Sequence, residues 1–163
     1  PLVAVLIGGA NRAFKMTADD TTRLLADLLK LTTEQGAGLA VTTSRRTGPE
    51  NARRLRAGLR DLPALLWDGS GENPYFGFLA HADAIVVTED SVSMTSEACT
   101  TGKPVYVAPL TGGSRKFGEF QDTLRAEGYT QPFAGTLGNH AAKRLDETTA
   151  IAAEVRRRLG IGG

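Results

Sequence analysis

Short apolar runs alternate with longer segments of helical periodicity along the whole chain. The runs are apolar at nearly every position, as in strands buried on both faces of a parallel sheet. The predicted strands are residues 2–7, 39–43, 64–67, 84–88 and 104–108. The predicted helices are residues 17–35, 50–59, 74–81 with Asn73 as its cap, 93–101, 116–127 and a last helix over about 140–159.

This alternation predicts an α/β fold, a Rossmann-like doubly wound parallel sheet in three α/β/α layers. Right-handed crossovers place helices on both faces of such a sheet. We expect the strand order 3-2-1-4-5, extended to 3-2-1-4-5-6 if a short sixth strand forms near residues 130–133. Residues 1–163 then form a single domain. Its ligand site is expected at the carboxyl edge of the sheet, where open α/β folds bind ligands.

Composition and charge narrow the classes of function. The 19 basic and 18 acidic residues leave a net charge of +1, which argues against a nucleic-acid binder driven by bulk charge. No apolar run approaches the roughly 20 residues that a membrane span needs. The single cysteine, Cys99, excludes an internal disulfide and fits a reducing compartment. We therefore expect a protein of the cytoplasm, or one peripheral to a membrane, with no metal site.

The start of the chain indicates a larger protein. Pro1 leads directly into the first predicted strand, without an initiator Met, a signal peptide or a basic arm. We expect a piece cut from a longer chain, and a mature protein with a processed Met is the alternative.

Small, hydroxylic and basic residues follow the predicted strands, at the edge where a ligand would bind. Backbone N–H groups, hydroxyls and guanidinium groups are suited to holding phosphate. Lys116 lies in a first helical turn, where a cation opposes the helix dipole, and this also indicates an anionic ligand. The expected anion site comprises Gly9, Asn11, Arg12, Ser91, Ser93 and Lys116.

Several of these loops have a second interpretation. Gly8-Gly9 either faces phosphate or makes a tight turn, and it matches neither the dinucleotide fingerprint nor the Walker motif. Arg45-Arg46 is either part of an anion site or a solvated surface pair. Trp67 either packs at the end of its strand or borders a pocket for a base.

Residues 90–109 carry the most specific pattern. Hydroxyls at Ser91, Ser93 and Ser96 crowd a helix start that follows a buried strand, and a helix start offers free N–H groups to an anion. Glu97 lies one turn inside this helix. A carboxylate there either accepts hydrogen bonds from a ribose diol or acts only on the helix dipole.

Ser96-Glu97-Ala98 and Gly102-Lys103-Pro104-Val105 resemble the C-terminal half of GT-B glycosyltransferases, among them the peptidoglycan N-acetylglucosaminyltransferase. Those enzymes have two Rossmann-like domains, and the second binds most of the nucleotide-sugar donor. The resemblance implies that Glu97 contacts ribose, that residues 91–93 contact pyrophosphate, and that Gly8 and Gly9 face the phosphates across the cleft. Ala10 departs from the pattern, which has Ser at that position.

A closer resemblance covers nearly the whole chain. The segments GGANRAFKMT, TTSRRTG, GENPYFGFLAHADAIVVTEDSVSMTSEACTTGKPV and SRKFGEF are similar to the mitochondrial-fission protein family. Its bacterial members are labelled predicted nucleoside-diphosphate-sugar epimerases, and its plant member is implicated in recruiting a dynamin-related protein. Family proteins are longer than this chain, so the resemblance implies the C-terminal half of a two-domain protein, with an N-terminal Rossmann-like domain as partner.

Three functions remain as hypotheses. The first is the nucleotide-sugar-binding half of a GT-B-like glycosyltransferase, with the nucleotide sugar as substrate, no cofactor and an unknown catalytic residue. The second is a nicotinamide-dependent epimerase. It ranks lower because no tyrosine of the chain has a lysine four residues later, as proton transfer in that class requires. The third is a non-catalytic adaptor that binds a protein partner.

Overall fold

The computed structural model describes residues 1–67 and 69–146. Within these residues, six strands form one parallel sheet in the order β4-β3-β1-β5-β6-β8. Two further strands, β2 and β7, form a separate antiparallel pair. The bounds are β1 Leu2–Ile7, β2 Phe14–Lys15, β3 Gly38–Thr43, β4 Ala64–Trp67, β5 Ala84–Thr88, β6 Val105–Ala108, β7 Thr111–Gly112 and β8 Thr130–Pro132. The predicted fold class and the predicted order of six strands are confirmed.

Helices cover both faces of the large sheet. They are α1 Ala18–Gln35, α2 Pro49–Leu59, α3 Tyr75–His81, α4 Val92–Thr100 and α5 Arg115–Ala126, and Arg45–Thr47 forms a 3₁₀ turn. Side chains of β1 alternate between the two layers. Val3, Val5 and Ile7 belong to the core under α1 and α2, whereas Ala4 and Leu6 belong to the core under α3, α4 and α5. This alternation explains why β1 is apolar at every position.

Helix α1 shows how local sequence sets these bounds. Thr17 accepts a hydrogen bond from the Asp20 backbone, and the Asp20 carboxylate accepts one from the Thr17 backbone, which closes a capping box. Gly36 ends the helix in the left-handed conformation with a φ of 64°, which costs glycine little. Sequence analysis found both ends of this helix.

Most predicted helix ends shift by one residue in the structure, and two differences have a clear local cause. Helix α3 begins at Tyr75, one residue later than the Pro74 start, because the Asn73 side chain accepts the Tyr75 N–H and forms a turn before the helix. The last predicted helix is absent over residues 140–146. There Leu145 donates its N–H to the Cys99 carbonyl and packs on the core under α4, which holds the backbone in a non-helical path. Its remainder, residues 147–159, lies outside the described residues. None of the described helices has the length and apolarity to cross a bilayer.

Candidate functional site

The six parallel strands end at one edge of the sheet, and the loops that follow them form the candidate site. Near its centre lies Asp90, whose side chain is fully buried. Its carboxylate accepts hydrogen bonds from the Thr88 hydroxyl at 2.6 Å and from the Gly9 N–H at 3.0 Å, and it pairs with Arg46 at 2.6 Å. We call Asp90, Thr88, Gly9 and Arg46 the Asp90 cluster. It joins the loops after β1, β3 and β5.

The two glycines after β1 are required by this cluster. A Cβ at Gly8 would lie 2.3 Å from the Asp90 carboxylate, and a Cβ at Gly9 would lie 2.1 Å from the Arg46 carbonyl oxygen. Gly9 also has a φ of 142°, a conformation that L side chains rarely adopt. The N–H of Gly8 donates to the Thr88 hydroxyl at 2.8 Å, as that of Gly9 does to Asp90. The glycine turn is therefore built around an internal carboxylate.

Asn11 shapes the rest of the same loop. Its side-chain amide donates to the Asp90 carbonyl at 3.0 Å, and its Oδ1 accepts the N–H groups of Ala13 and Phe14. Arg12, next to it, is exposed and makes no hydrogen bond or ion pair with the residues that the structure describes. The loop thus has a fixed backbone that presents a free guanidinium group.

A two-stranded ribbon, β2 with β7, ties this loop to the loop after β6. Phe14 pairs with Gly112, Lys15 pairs with Thr111, and the Gly113 N–H donates to the Ala13 carbonyl at 2.8 Å. Sequence analysis missed the ribbon. Neither two-residue strand has a pattern of its own, and they lie far apart in the chain.

The buried Asp20 fastens the ribbon to α1. It accepts a hydrogen bond from the Thr111 hydroxyl at 3.0 Å and pairs with Arg23. Burial by itself raises the pKa of Asp20, but hydrogen bonds from Thr17 and Thr111 outweigh it, so the pKa is lowered overall.

Helix α4 begins at Val92, two residues beyond Asp90. Ser91 caps it by accepting the Met94 N–H at 3.3 Å, so the predicted start at Ser93 moves to Val92. The N–H groups of Val92 and Ser93 have no acceptor among the described residues, and the Ser93 side chain is exposed. Ser96, one turn later, is half-buried. This helix start can therefore donate hydrogen bonds to a ligand.

Lys116, the last predicted anion-binding residue, lies in the first turn of α5. It is exposed and unpaired within the described part of the chain. We call Arg12, Ser93 and Lys116 the rim. Asn11 connects the Arg12 loop to the α4 start, and Gly113 connects it to the loop before α5.

A cleft of about 560 Å³ opens beside the Asp90 cluster, over the ends of β3 and β4. Arg45, Trp67 and Tyr75 are among the residues that line it. The Trp67 indole donates to the Ser70 carbonyl at 2.8 Å, which fixes the ring. Trp67 thus borders a cavity. The adjacent residues Arg45 and Arg46 lie in different places, because Arg45 lines the cleft and Arg46 belongs to the Asp90 cluster.

Glu97 contacts a residue of this cleft. The Tyr75 hydroxyl donates a hydrogen bond to the Glu97 carboxylate. Burial, reinforced by this carboxylate, raises the pKa of Tyr75, which keeps the phenol protonated. Glu97 itself is exposed and lines a different pocket, with Phe76 and Lys103, so its link to the cleft is through Tyr75.

Sequence reasoning missed Asp90 as an organising residue. The signal was weak, since Asp90 is one of several acids at this edge and follows the buried strand only after Glu89. Cys99 is a core residue as expected, and burial raises the pKa of its thiol to about 11. The described residues hold no group of three His, Cys, Asp or Glu that could bind a metal ion.

The sequence of this chain is similar to a known family over nearly its whole length. The family model for mitochondrial fission ELM1 matches residues 1–159. The chain belongs to this family. The mitochondrial fission protein ELM1 of Arabidopsis thaliana is 38% identical over 167 residues, which cover 100% of this chain and 39% of that protein. An uncharacterized protein of Rickettsia prowazekii is 30% identical over 166 residues, covering 97% of this chain and 47% of that protein. The chain thus spans less than half the length of these curated relatives.

Solved structures share the fold of this family member at low identity. MurG of Acinetobacter baumannii matches with a TM-score of 0.51 and 16% identity, over 98% of this chain and 40% of MurG. A Listeria monocytogenes protein assigned as a UDP-N-acetylglucosamine 2-epimerase matches with a TM-score of 0.52 and 12% identity, over 95% of this chain and 45% of that protein. YcaC of Escherichia coli, an octameric hydrolase of unknown specificity, matches with a TM-score of 0.54 and 17% identity, over 93% of this chain and 84% of YcaC. The fold is therefore Rossmann-like and similar to one half of GT-B proteins.

Proposed function

We propose that this chain is the nucleotide-sugar-binding domain of a GT-B-like glycosyltransferase, the C-terminal of two Rossmann-like domains. The observation that carries the proposal is a 560 Å³ cleft that lies beside an unpaired cationic rim at the carboxyl edge of the sheet. Matches to less than half of each longer relative support a second domain. A cytoplasmic or peripheral membrane location belongs to the same proposal, as the single buried thiol, Cys99, fits a reducing compartment.

The cleft is suited to the nucleoside. Its volume lies within the roughly 300–1,000 Å³ of small-molecule sites. The fixed Trp67 ring offers an apolar surface to a base, and Glu97 offers a carboxylate oxygen to the ribose hydroxyls next to Tyr75. In this arrangement Tyr75 holds Glu97 at the boundary between the base and the ribose.

The rim is suited to the diphosphate. Arg12 and Lys116 carry unpaired positive charges, and the N–H groups of Val92 and Ser93 are free to donate. Gly8, Gly9 and Asn11 support this surface from below, because their hydrogen bonds shape the loop that carries Arg12. Phosphate then binds to the exposed groups rather than to the glycine N–H groups.

Calorimetric titration of the full-length protein tests this function. The titrants are UDP-N-acetylglucosamine, GDP-mannose, dTDP-glucose, their free nucleoside diphosphates and NAD. We expect one nucleotide sugar and its diphosphate to bind and NAD not to bind. Binding of NAD with epimerisation would favour the epimerase hypothesis, and absence of all binding would favour the adaptor. Either result would overturn the proposal.

A charge variant locates the binding surface. Ser93→Glu adds an acid to the start of α4, where it favours the helix dipole and leaves the fold intact. Because the new charge repels phosphate, we expect nucleotide affinity to fall roughly tenfold or more. Thr22→Glu, which places the same charge on the exposed face of α1, is the matched control and should change affinity little.

A further inference from the structure

Strand β4 forms an open edge of the parallel sheet. It pairs with β3 on one side, and on its other side it has no strand partner among residues 1–67 and 69–146. Its residues are half-buried or exposed, whereas β1 at the centre of the sheet is almost entirely buried. An unpaired edge strand presents backbone N–H and C=O groups with which a further strand can pair.

The two faces of this edge differ in chemistry. Ala64 and Leu66 pack against the core under α1 and α2, so Leu65 between them lies on the opposite face of the sheet. Leu65 is 64% exposed. A strand added beyond β4 would place every second side chain beside Leu65 and the alternate side chains on the face that α2 covers.

Helix α2 carries a row of arginines on that second face. Arg53, Arg56 and Arg60 are all exposed, and at about 100° per residue they lie within roughly 60° of one another around the helix axis. Gly58 lies on the opposite side of the helix, where a Cβ would meet the Leu25 side chain of α1 at 2.7 Å. Because α2 connects β3 to β4, the side away from α1 is the side of the open edge. We call these three arginines the arginine row.

Helix α2 does not neutralise the charge of the arginine row. Its acid, Glu50, pairs with Arg54 at 2.9 Å, on the side of the helix that faces α1. Arg53 and Arg60 make no hydrogen bond or ion pair with the described residues. A guanidinium group is a planar fork that binds a carboxylate through two parallel hydrogen bonds. The arginine row is therefore suited to carboxylate ligands.

The length of the arginine row fits alternate residues of a strand. At about 1.5 Å per helical residue, the row spans roughly 10 Å from Arg53 to Arg60. Three side chains at every second position of a strand span roughly 13 Å, at about 3.3 Å per residue. A strand with three alternating acids can thus face the whole row while its other side chains contact Leu65.

These observations select one occupant for the edge. A second copy is disfavoured, because antiparallel pairing of two β4 strands about a two-fold axis would bring both arginine rows to the same face of the joined sheet, where they repel. A lipid surface would satisfy the arginines but not the backbone groups of β4. We propose that the β4 edge binds an extended acidic segment of a partner protein, which adds a strand with its carboxylates toward the arginine row and its apolar side chains on Leu65.

Peptide binding to the full-length protein tests this interaction surface, with fluorescence anisotropy as the measurement. The probe is a labelled synthetic peptide in which three glutamates alternate with three valines. We expect it to bind at least tenfold more tightly than the same peptide with lysines in place of the glutamates, because lysines are repelled by the arginine row.

Two N-methylated forms of the probe test strand pairing at constant charge. One is methylated at the valines and the other at the glutamates, so each loses the N–H groups of one side of the strand. Since β4 can pair with one side only, we expect one form to lose at least tenfold in affinity. The other should bind within about threefold of the unmethylated probe.

Variants of the edge locate the contact. Arg53→Gln and Arg60→Gln each remove one guanidinium from an exposed position and should weaken the probe about three- to tenfold. Arg54→Gln, on the α1 side of the same helix, is the matched control and should alter affinity less than about twofold. Leu65→Ser should weaken the probe about threefold, whereas Leu29→Ser, at an exposed position of α1, should not.

The outcomes decide between partners. Absence of probe binding, equal binding of both N-methylated forms and the unmethylated probe, or equal losses in Arg53→Gln and Arg54→Gln would each overturn the proposal. Sedimentation with vesicles of phosphatidylcholine and phosphatidylserine tests a lipid surface. Vesicle binding that is lost in Arg53→Gln and Arg60→Gln, without binding of the probe, would assign the arginine row to a membrane instead. None of these results depends on the nucleotide site.

Discussion

The Asp90 cluster and the rim differ sharply, although they are neighbours in the chain and in space. In the cluster, the buried carboxylate of Asp90 has three partners, from the loops after β1 and β3 and from the end of β5. On the rim, Ser93 lies three residues after Asp90 and is exposed, and Arg12 and Lys116 make no hydrogen bond or ion pair with the described residues. One region uses its polar groups to hold the loops together, and the other leaves them available.

A glycine loop can hold either a ligand or a side chain of the same protein with its N–H groups, and the comparison distinguishes the two cases. Gly8-Gly9 has the composition of a phosphate loop, yet its N–H groups donate to Thr88 and Asp90. An internal carboxylate can therefore take the place that an anion occupies elsewhere. Exposed cations close to such a loop are the better guide to a binding surface.

The largest effect is expected from breaking the Asp90 cluster. Asp90→Ala removes the acceptor of the Gly9 N–H and of the Thr88 hydroxyl, and it leaves the partly exposed Arg46 without its partner, so we expect the free energy of unfolding to fall by about 2–4 kcal/mol. Urea denaturation measures it. Asp61→Ala, at an exposed turn, should change stability by less than about 0.5 kcal/mol. Equal stability of the two variants would show that the Asp90 cluster does not stabilise the fold.

A smaller effect, on affinity alone, is expected at the cleft. Glu97→Gln can still accept the Tyr75 hydroxyl, so the melting temperature should change little. Loss of the charge should weaken ribonucleotide binding by about 1.5–3 kcal/mol and deoxyribonucleotide binding by less. Calorimetry of both ligands measures this, with Glu119→Gln on α5 as control. If variant and wild type bind both ligands alike, Glu97 does not contact ribose.

The next largest effect, on nucleotide affinity, is expected at the rim. Arg12→Ala should weaken nucleotide binding by about 1–3 kcal/mol, the range for a charged hydrogen bond, without altering stability. Arg60→Ala removes an equally exposed arginine after α2 and serves as the control. A loss of stability in Arg12→Ala would show that Arg12 belongs with the Asp90 cluster instead.

The smallest expected effect is a pH dependence at Asp20, which ties the ribbon below the rim to α1. Because the folded pKa lies below the ordinary value of 3.8, Asp20 contributes stability above that pH and loses it as the pH falls through the folded pKa. The difference in unfolding free energy between wild type and Asp20→Asn should therefore shrink in acid. Asp19→Asn, exposed on the same turn, is the matched control. A difference that widens in acid would contradict the lowered pKa.

The sheet could be predicted because its signals are local or topological. Each buried strand is a run of apolar residues, α1 has its cap at Thr17 and its stop at Gly36, and right-handed crossovers leave few possible strand orders. The non-helical path of residues 140–146 was not predicted because Leu145 docks on α4 through a contact with distant sequence.

The candidate site was predicted less completely, for a physical reason. Residue types mark the edge of a sheet, but they do not say which groups are already paired. Arg45 and Arg46 are adjacent and identical, yet one lines the cleft and the other binds Asp90.

The ribbon has a consequence for the order of events during synthesis. Asp20 and Thr111 are 91 positions apart, so the loop with Arg12 gains its second anchor only after β7 has left the ribosome. Until then β1 and β3 can pair, and α1 can cover them, but the rim has no fixed shape. A nascent chain stalled before Thr111 would therefore hold five of the six parallel strands without a complete binding edge, and ligand could assist folding only at this late step.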